Sequence, residues 1–244
     1  MDLVEQQYWD DAYNNFSYFV ADDIVTQWMD KHAAYLKKGG QLFELGCFPG
    51  RYMAHLGKMG LVVNGMDLAP NMDEGFTAWL QKQGVQTGKL ERGDVLAYAA
   101  NSADRYDVVC SFGFIEHFQN FSEIIALHDK LLKPGGELMI TTPNFRGGLQ
   151  QFLHRNLDKE NLDRHYLPSM KPHLWKAQLE QLGYDVQFAG YFGRFDYWYD
   201  AQERSSLQKL GNKVVRKLTP LLGQLPDAAF QSPYCGILAQ KRQA

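Results

Sequence analysis

The chain has 244 residues, 45% of them hydrophobic and 14% aromatic, enough for one sizeable α/β domain with accessory helices and too few for two full domains. A formal net charge of −3 gives no global electrostatic reason to expect a nucleic-acid partner. Cys47, Cys110 and Cys235 are widely spaced, which suits a reducing, cytoplasmic setting and offers no metal spacing; no apolar run reaches membrane-spanning length, and the opening MDLVEQQYWDD lacks the pattern of a signal peptide.

Residues 1–20 carry Tyr8, Trp9, Tyr13, Phe16, Tyr18 and Phe19. Such a segment either packs on the core or closes over a ligand, and packing is the reading adopted. From Ala21 to Leu36 the residues Ile24, Val25, Trp28, Met29 and Tyr35 recur at helical spacing and stop before Gly39 and Gly40, so 1–38 reads as an N-terminal cap. Gln41 to Tyr52, QLFELGCFPGRY, then reads as a buried strand, a turn bracketed by Gly46 and Gly50, and a helix start with Pro49 in its first turn. A helix N-terminus behind a glycine turn presents unpaired N–H groups to a small ligand. Phe48 occupies the middle glycine position of the dinucleotide fingerprint, which counts against a pyrophosphate cradle. The following proline favours an extended Phe48, with its ring against either the ligand or the core.

A helix with Tyr52, Met53 and Leu56 ends near Gly60, and Leu61–Met66 reads as a second strand ending at Asp67. A carboxylate there, about twenty residues past the glycine turn, is placed to accept both hydroxyl hydrogens of a ribose. We read Asp67 in that way, with capping of the next helix as the plain alternative. A helix over 70–83 and a third strand over Gln86–Arg92 lead to Asp94, which either accepts from an exocyclic amine or caps the segment starting at Val95. Tyr106–Phe112 is the clearest buried strand; Asn120 with Glu123 reads as a capping box before an amphipathic helix that Pro134, Gly135 and Gly136 terminate, and Glu137–Thr142 is the fifth strand. Strands separated by helices imply a parallel sheet covered on both faces.

Taken together, ELGCFPG, GMDLAP, RGDVL, YDVVCSFGFIEHF and LLKPGGELMITTPN closely resemble class I S-adenosylmethionine-dependent methyltransferases, in particular the small-molecule branch that includes ubiquinone-type O-methyltransferases. The resemblance covers about 41–144 and implies a Rossmann-like seven-stranded, mostly parallel sheet with helices on both faces, its last strand antiparallel. It assigns Glu44, Gly46, Cys47, Phe48 and Gly50 to the methionine end of the cofactor, Asp67 with Leu68 to the ribose, and Asp94 with Val95 to the adenine. Ser111, Phe112, Glu116 and His117 are placed on the wall near the sulfonium. Ubiquinone-type members carry an acid three residues before the Glu-His pair, where this chain has Gly113, so no metal site is carried over. GFIEHF also looks like a stretch of the mycolic-acid cyclopropane synthases, with no other motif of theirs present. His117 is read first as a histidine packed beneath the cofactor and bonded to backbone, with a general base as the alternative.

The cofactor-binding core is thus 39–144, and 145–169 is a polar insertion at the ligand edge, read as loop with one helix; Asn144, His165 and Tyr166 are its substrate-side candidates. After a helix over 170–182, Tyr184–Gly190 and Tyr234–Gln240 read as the sixth and seventh strands. The insertion 191–233 between them holds the aromatic cluster Tyr191 to Tyr199, a hint of an apolar or ring-bearing acceptor, and then a basic amphipathic helix. Self-packing or a homodimer contact through 203–222 is the default for that helix, with a peripheral membrane contact as the alternative. The expected activity is methyl transfer from S-adenosylmethionine to an oxygen or nitrogen of a small molecule, with His117 and His165 as candidate bases. Carbon methylation of a lipid-like acceptor, a catalytically silent cofactor-binding protein and a nicotinamide oxidoreductase are the competing readings, and no NPPY-like tetrapeptide points to nucleic-acid amines.

Overall fold

The computed structural model describes residue 4 and residues 6–12, 16–199 and 204–243. Tyr13 of the aromatic segment and residue 203 of the proposed partner-binding stretch lie outside them. Helix α1 (Gln6–Ala12) precedes α2 (Ile24–His32), which is shorter than the apolar spacing suggests because Asp23 sets its start. The Asp23 carboxylate accepts from the N–H groups of Val25 and Thr26, and the Thr26 hydroxyl accepts in return from Asp23 N–H.

The chain then alternates through β1 (Gln41–Leu45), α3 (Arg51–Lys58), β2 (Val62–Asp67), α4 (Glu74–Lys82), β3 (Gln86–Arg92), α5 (Val95–Asn101), β4 (Tyr106–Phe112), α6 (Phe121–Leu131) and β5 (Leu132–Pro143). Pro49 stands before α3, because Gly50 is the cap residue, so the proline is not in the first helical turn. The expected capping box at α6 is replaced by a different bond: the Asn120 amide donates to the Glu123 carboxylate, and its side chain makes no cap to the helix backbone.

The insertion after β5 is more ordered than a loop with one helix. It forms α7 (Gly148–Leu157), α8 (Lys159–Asp163) and a short 3-10 turn at Leu167–Ser169 before α9 (Pro172–Gln181). Strand β6 (Tyr184–Phe192), α10 (Ser206–Leu222) and β7 (Tyr234–Lys241) complete the chain.

The seven strands form one sheet in the order β3-β2-β1-β4-β5-β7-β6. β7 runs antiparallel to both β5 and β6 while the other pairs are parallel, as the motifs led us to expect. Side chains alternate between faces with the strand period of two. Phe43, Leu45, Val109, Leu138 and Ile140 join the core on one side; Leu42, Val108, Cys110 and Met139 join the other. Chain direction across the sheet reverses between β1 and β4, which opens a crevice beyond the carboxyl ends of those strands. A satellite cluster of Leu153, Phe195, Tyr197 and Val215 fixes α10 to α7 beside that end.

Candidate active site

The crevice is a cavity of 760 Å³, within the range of small-molecule sites, lined by the tips of β1, β2 and β4, the starts of α3 and α5, and parts of both insertions. Two glycines shape its floor. Gly46 has φ +66° and Gly50 φ +77°; a Cβ at either would come within 2.4 Å of the Phe114 or the Phe76 ring, so both conformation and space demand glycine. Phe48 lines the cavity and also packs against Phe16 and Phe76, each with ring centroids 5.6 Å away, which anchors the turn to the aromatic N-terminal segment.

Asp67 ties the first two strand tips together. Its carboxylate accepts from Phe48 N–H at 3.0 Å and from Ala69 N–H at 2.8 Å. It does not cap the next helix, whose cap is Asp73. The two N–H bonds favour the ionised form, but burial outweighs them and pulls the pKa above the usual carboxylate range. Glu44, buried beneath the same turn, is pushed up further by desolvation and by the charge of Asp67. Its Oε2 has no hydrogen-bond partner among the described residues. Asp94 caps α5 through Oδ1, which accepts from Leu96 and Ala97 N–H, and it also lines the cavity. Its two alternatives are therefore compatible, since a carboxylate oxygen beyond the cap remains able to accept from a ligand.

At the opposite wall, Ile115–His117 forms a 3-10 turn after β4. The His117 ring nitrogen Nδ1 lies 3.0 Å from the Arg164 carbonyl oxygen, and Nδ1 of His165 lies 2.6 Å from that of Asn161. A carbonyl only accepts, so each ring donates from Nδ1 and keeps its Nε2 lone pair. Burial holds His117 down at about 4, and burial with the neighbouring His117 keeps His165 well below the ordinary histidine value; both rings are neutral at pH 7. Glu116, buried beside them with Oε2 unpartnered, is pushed up by desolvation to about 8 and is largely protonated at neutral pH. The ligand atoms of Glu116, His117 and His165 lie within 4.8 Å of one another, a set that could hold a metal ion. His117 and His165 were expected as candidate bases, but their closeness to Glu116 arises only when the insertion folds back, because His165 belongs to it. Gly113, at φ +70°, stands where an acid would complete the ubiquinone-type pattern, and a side chain there would be strained.

Of the residues singled out in the sequence, Glu44, Gly46, Cys47, Phe48, Gly50, Asp67, Leu68, Asp94, Val95, Phe112, Glu116, His117 and His165 meet at this cavity. Three do not line it. Ser111 is buried and its hydroxyl is 2.9 Å from His128 Nε2, so it braces β4 against α6. Asn144 spends its amide on the carbonyls of Ala229 and Ser232 and its oxygen on Gly147 N–H, closing the insertion onto the residues before β7. Tyr166 contributes its backbone, donating N–H to the Glu116 carbonyl at 2.7 Å. The N-terminal segment departs from the reading as mere packing, since Tyr8, Trp9 and Phe16 line the cavity, with Trp9 edge-on to His117 at 5.0 Å. Arg164, Asp196 and Trp198 also reach the wall; the aromatic run was the sole sequence signal for the last two.

This architecture, with its ligand cavity at the switch between β1 and β4, is that of the class I S-adenosylmethionine-dependent methyltransferases. A methyltransferase-domain family model matches residues 13–187, and the chain belongs to that family. A ubiquinone biosynthesis O-methyltransferase from Xanthomonas axonopodis pv. citri (strain 306) is 27% identical over 156 residues, which cover 61% of this chain and 64% of that protein. Among solved structures, a SAM-dependent methyltransferase from Archaeoglobus fulgidus superposes with a TM-score of 0.57 at 21% identity, covering 89% of this chain and 93% of that one. Magnesium protoporphyrin IX methyltransferase from Synechocystis PCC 6803, solved with S-adenosylhomocysteine, gives 0.57 at 17% identity over 96% and 93%.

The cofactor of such a methyltransferase is S-adenosylmethionine, and the residues present fit it. The unpartnered Glu44 oxygen suits the ammonium of the methionine end, Asp67 can accept from ribose hydroxyls, and Asp94 can accept from the adenine amine.

Proposed function

We propose that the protein transfers the methyl group of S-adenosylmethionine to a hydroxyl of a small, ring-bearing acceptor. The observation that carries this reading is the pair of neutral histidines whose Nδ1 atoms are tied to backbone carbonyls and whose Nε2 lone pairs remain for a proton. The cofactor supplies a methyl group already activated on a sulfonium, so the chain has to orient, exclude water and remove one proton.

Trp9, Phe114 and Trp198 offer apolar and aromatic walls for an acceptor ring, and the protonated Glu116 carboxyl can donate a hydrogen bond to an acceptor oxygen. As the acceptor oxygen bonds to the methyl carbon, its proton passes to a histidine Nε2. The two rings lie 4.9 Å apart, so only one of them takes the proton at a time, because charging either disfavours charging the other. The similarity to the Xanthomonas enzyme, described as a ubiquinone biosynthesis O-methyltransferase, supports oxygen as the methylated atom.

Labelled-methyl transfer to a panel of phenols and catechols tests the proposal. Turnover is expected, with His117→Asn and His165→Asn each lowering kcat by roughly 10²- to 10⁴-fold while S-adenosylhomocysteine affinity stays within a few fold. Amine acceptors turned over in preference to every hydroxyl, or full activity in the double variant, would overturn it.

A further inference from the structure

Helix α10 has two apolar sides. One faces the protein, where Val215 is buried with Leu153, Phe195 and Tyr197, and Gly211 lies close enough to Leu157 that a Cβ would approach it to 2.6 Å. The other faces solvent: Leu207 is 78% exposed, Leu210 58% and Leu221 64%, with Val214 and Leu218 also exposed. The helical period places these five on one stripe, with Lys213 and Lys217 along its edge and Lys209 and Arg216 further round. The helix sequence SLQKLGNKVVRKLTPLL has these four cations and no acid, in a chain of net charge −3.

Exposed leucines at that spacing are not explained by packing on their own chain, since the inward side already does that work. A second copy laid along the same stripe would bring cation bands together with no acid on either helix to offset them. We propose that α10 docks on an anionic lipid surface, its leucine stripe entering at headgroup level and Lys213 and Lys217 lying beside the phosphates. The surface stands independently of the methyl-transfer reading, yet it connects to the same cavity. Arg204, immediately before the α10 cap Ser205, pairs at 2.9 Å with buried Asp158, whose other oxygen accepts from the cavity-lining Asn161. One ion pair and one hydrogen bond thus join the docking helix to the acceptor wall, a placement suited to an acceptor that partitions into the bilayer.

Flotation of the full chain with vesicles of equimolar phosphatidylglycerol and phosphatidylcholine, alongside vesicles of phosphatidylcholine alone, tests this. Binding to the anionic vesicles is expected to exceed binding to the neutral ones at least ~10-fold and to fall steeply as salt is raised. Lys213→Gln with Lys217→Gln should weaken it ~30-fold, and Leu210→Ser with Leu218→Ser should weaken binding to both vesicle types, with S-adenosylhomocysteine affinity unchanged in each variant as proof of folding. A wild-type chain that does not float, variants that float as well as wild type, or a solution dimer dissolved by Leu210→Ser with Leu218→Ser would overturn the proposal. No methyl acceptor enters the assay, so its failure leaves the methyl-transfer reading standing and the converse also holds.

Discussion

Glu116→Gln tests the electrostatics of the acceptor wall through stability alone. The folded chain holds this carboxyl neutral up to about 8, against 4.5 for the exposed group, because it is buried. Between those values the unfolded chain has lost the proton and the folded chain has kept it, so stability falls as pH rises, by up to 1.36 kcal/mol per pH unit. The full difference is at most ~5 kcal/mol; with water entering the cavity ~2 kcal/mol is a fairer figure, or roughly 4–8 °C in Tm for a chain of this size. Glutamine keeps the shape and removes the ionisation. Thermal melts of the unliganded protein should therefore show the variant gaining ~4–8 °C over wild type at pH 8.5 and almost nothing at pH 5. The same difference between variant and wild type at both pH values would refute the buried neutral carboxyl, and comparing the two chains at each pH cancels every other titrating group.

Further expectations concern the cofactor, the bases and metal. Asp67→Ala removes a carboxylate that accepts two backbone N–H bonds and should weaken S-adenosylhomocysteine binding by ~2–3 kcal/mol in a calorimetric titration; an unchanged Kd would show that no ribose reaches it. The pKa of His117, lowered to about 4, keeps the base unprotonated well below pH 6.5, so the acid limb of kcat/KM should appear near pH 4–5, and a limb at 6.5 would mean a solvent-exposed base. Gly113 leaves Glu116, His117 and His165 without the acid that completes the ubiquinone-type pattern, so dialysis against EDTA at pH 7 should leave kcat within about twofold; loss of activity restored by a divalent cation would make the three a metal centre.

The strand tips were legible because each carries a local signature that physics ties to its position. An apolar run, a residue that must be glycine and a carboxylate recur at β1 and β2, and packing keeps them in register. Sequence adjacency alone misled at Ser111, Asn144 and Tyr166. Alternation turns Ser111 away from the ligand edge toward His128, and the Asn144 amide is consumed by carbonyls some 85 to 88 residues later, a pairing no local pattern announces. The acceptor wall was legible only in part: Glu116, His117 and His165 were named as candidates, but not that they meet. His165 meets Glu116 and His117 only after α7 and α8 fold the insertion back, and Trp9 arrives from the opposite end of the chain. The amphipathic pattern of α10 was plain, but whether its leucines were covered depended on which side packs against α7, which only the fold reveals.

The central claim is that successive strand ends hold one nucleoside with its sulfur turned toward Glu116 and the two histidines. A crystal structure with S-adenosylhomocysteine examines it most directly. The ribose hydroxyls are expected on Asp67, the ammonium at Glu44, the adenine beside Asp94 and the sulfur facing the 115–117 turn. The homocysteine product bound elsewhere, or in this cavity with its ribose away from Asp67, would contradict it.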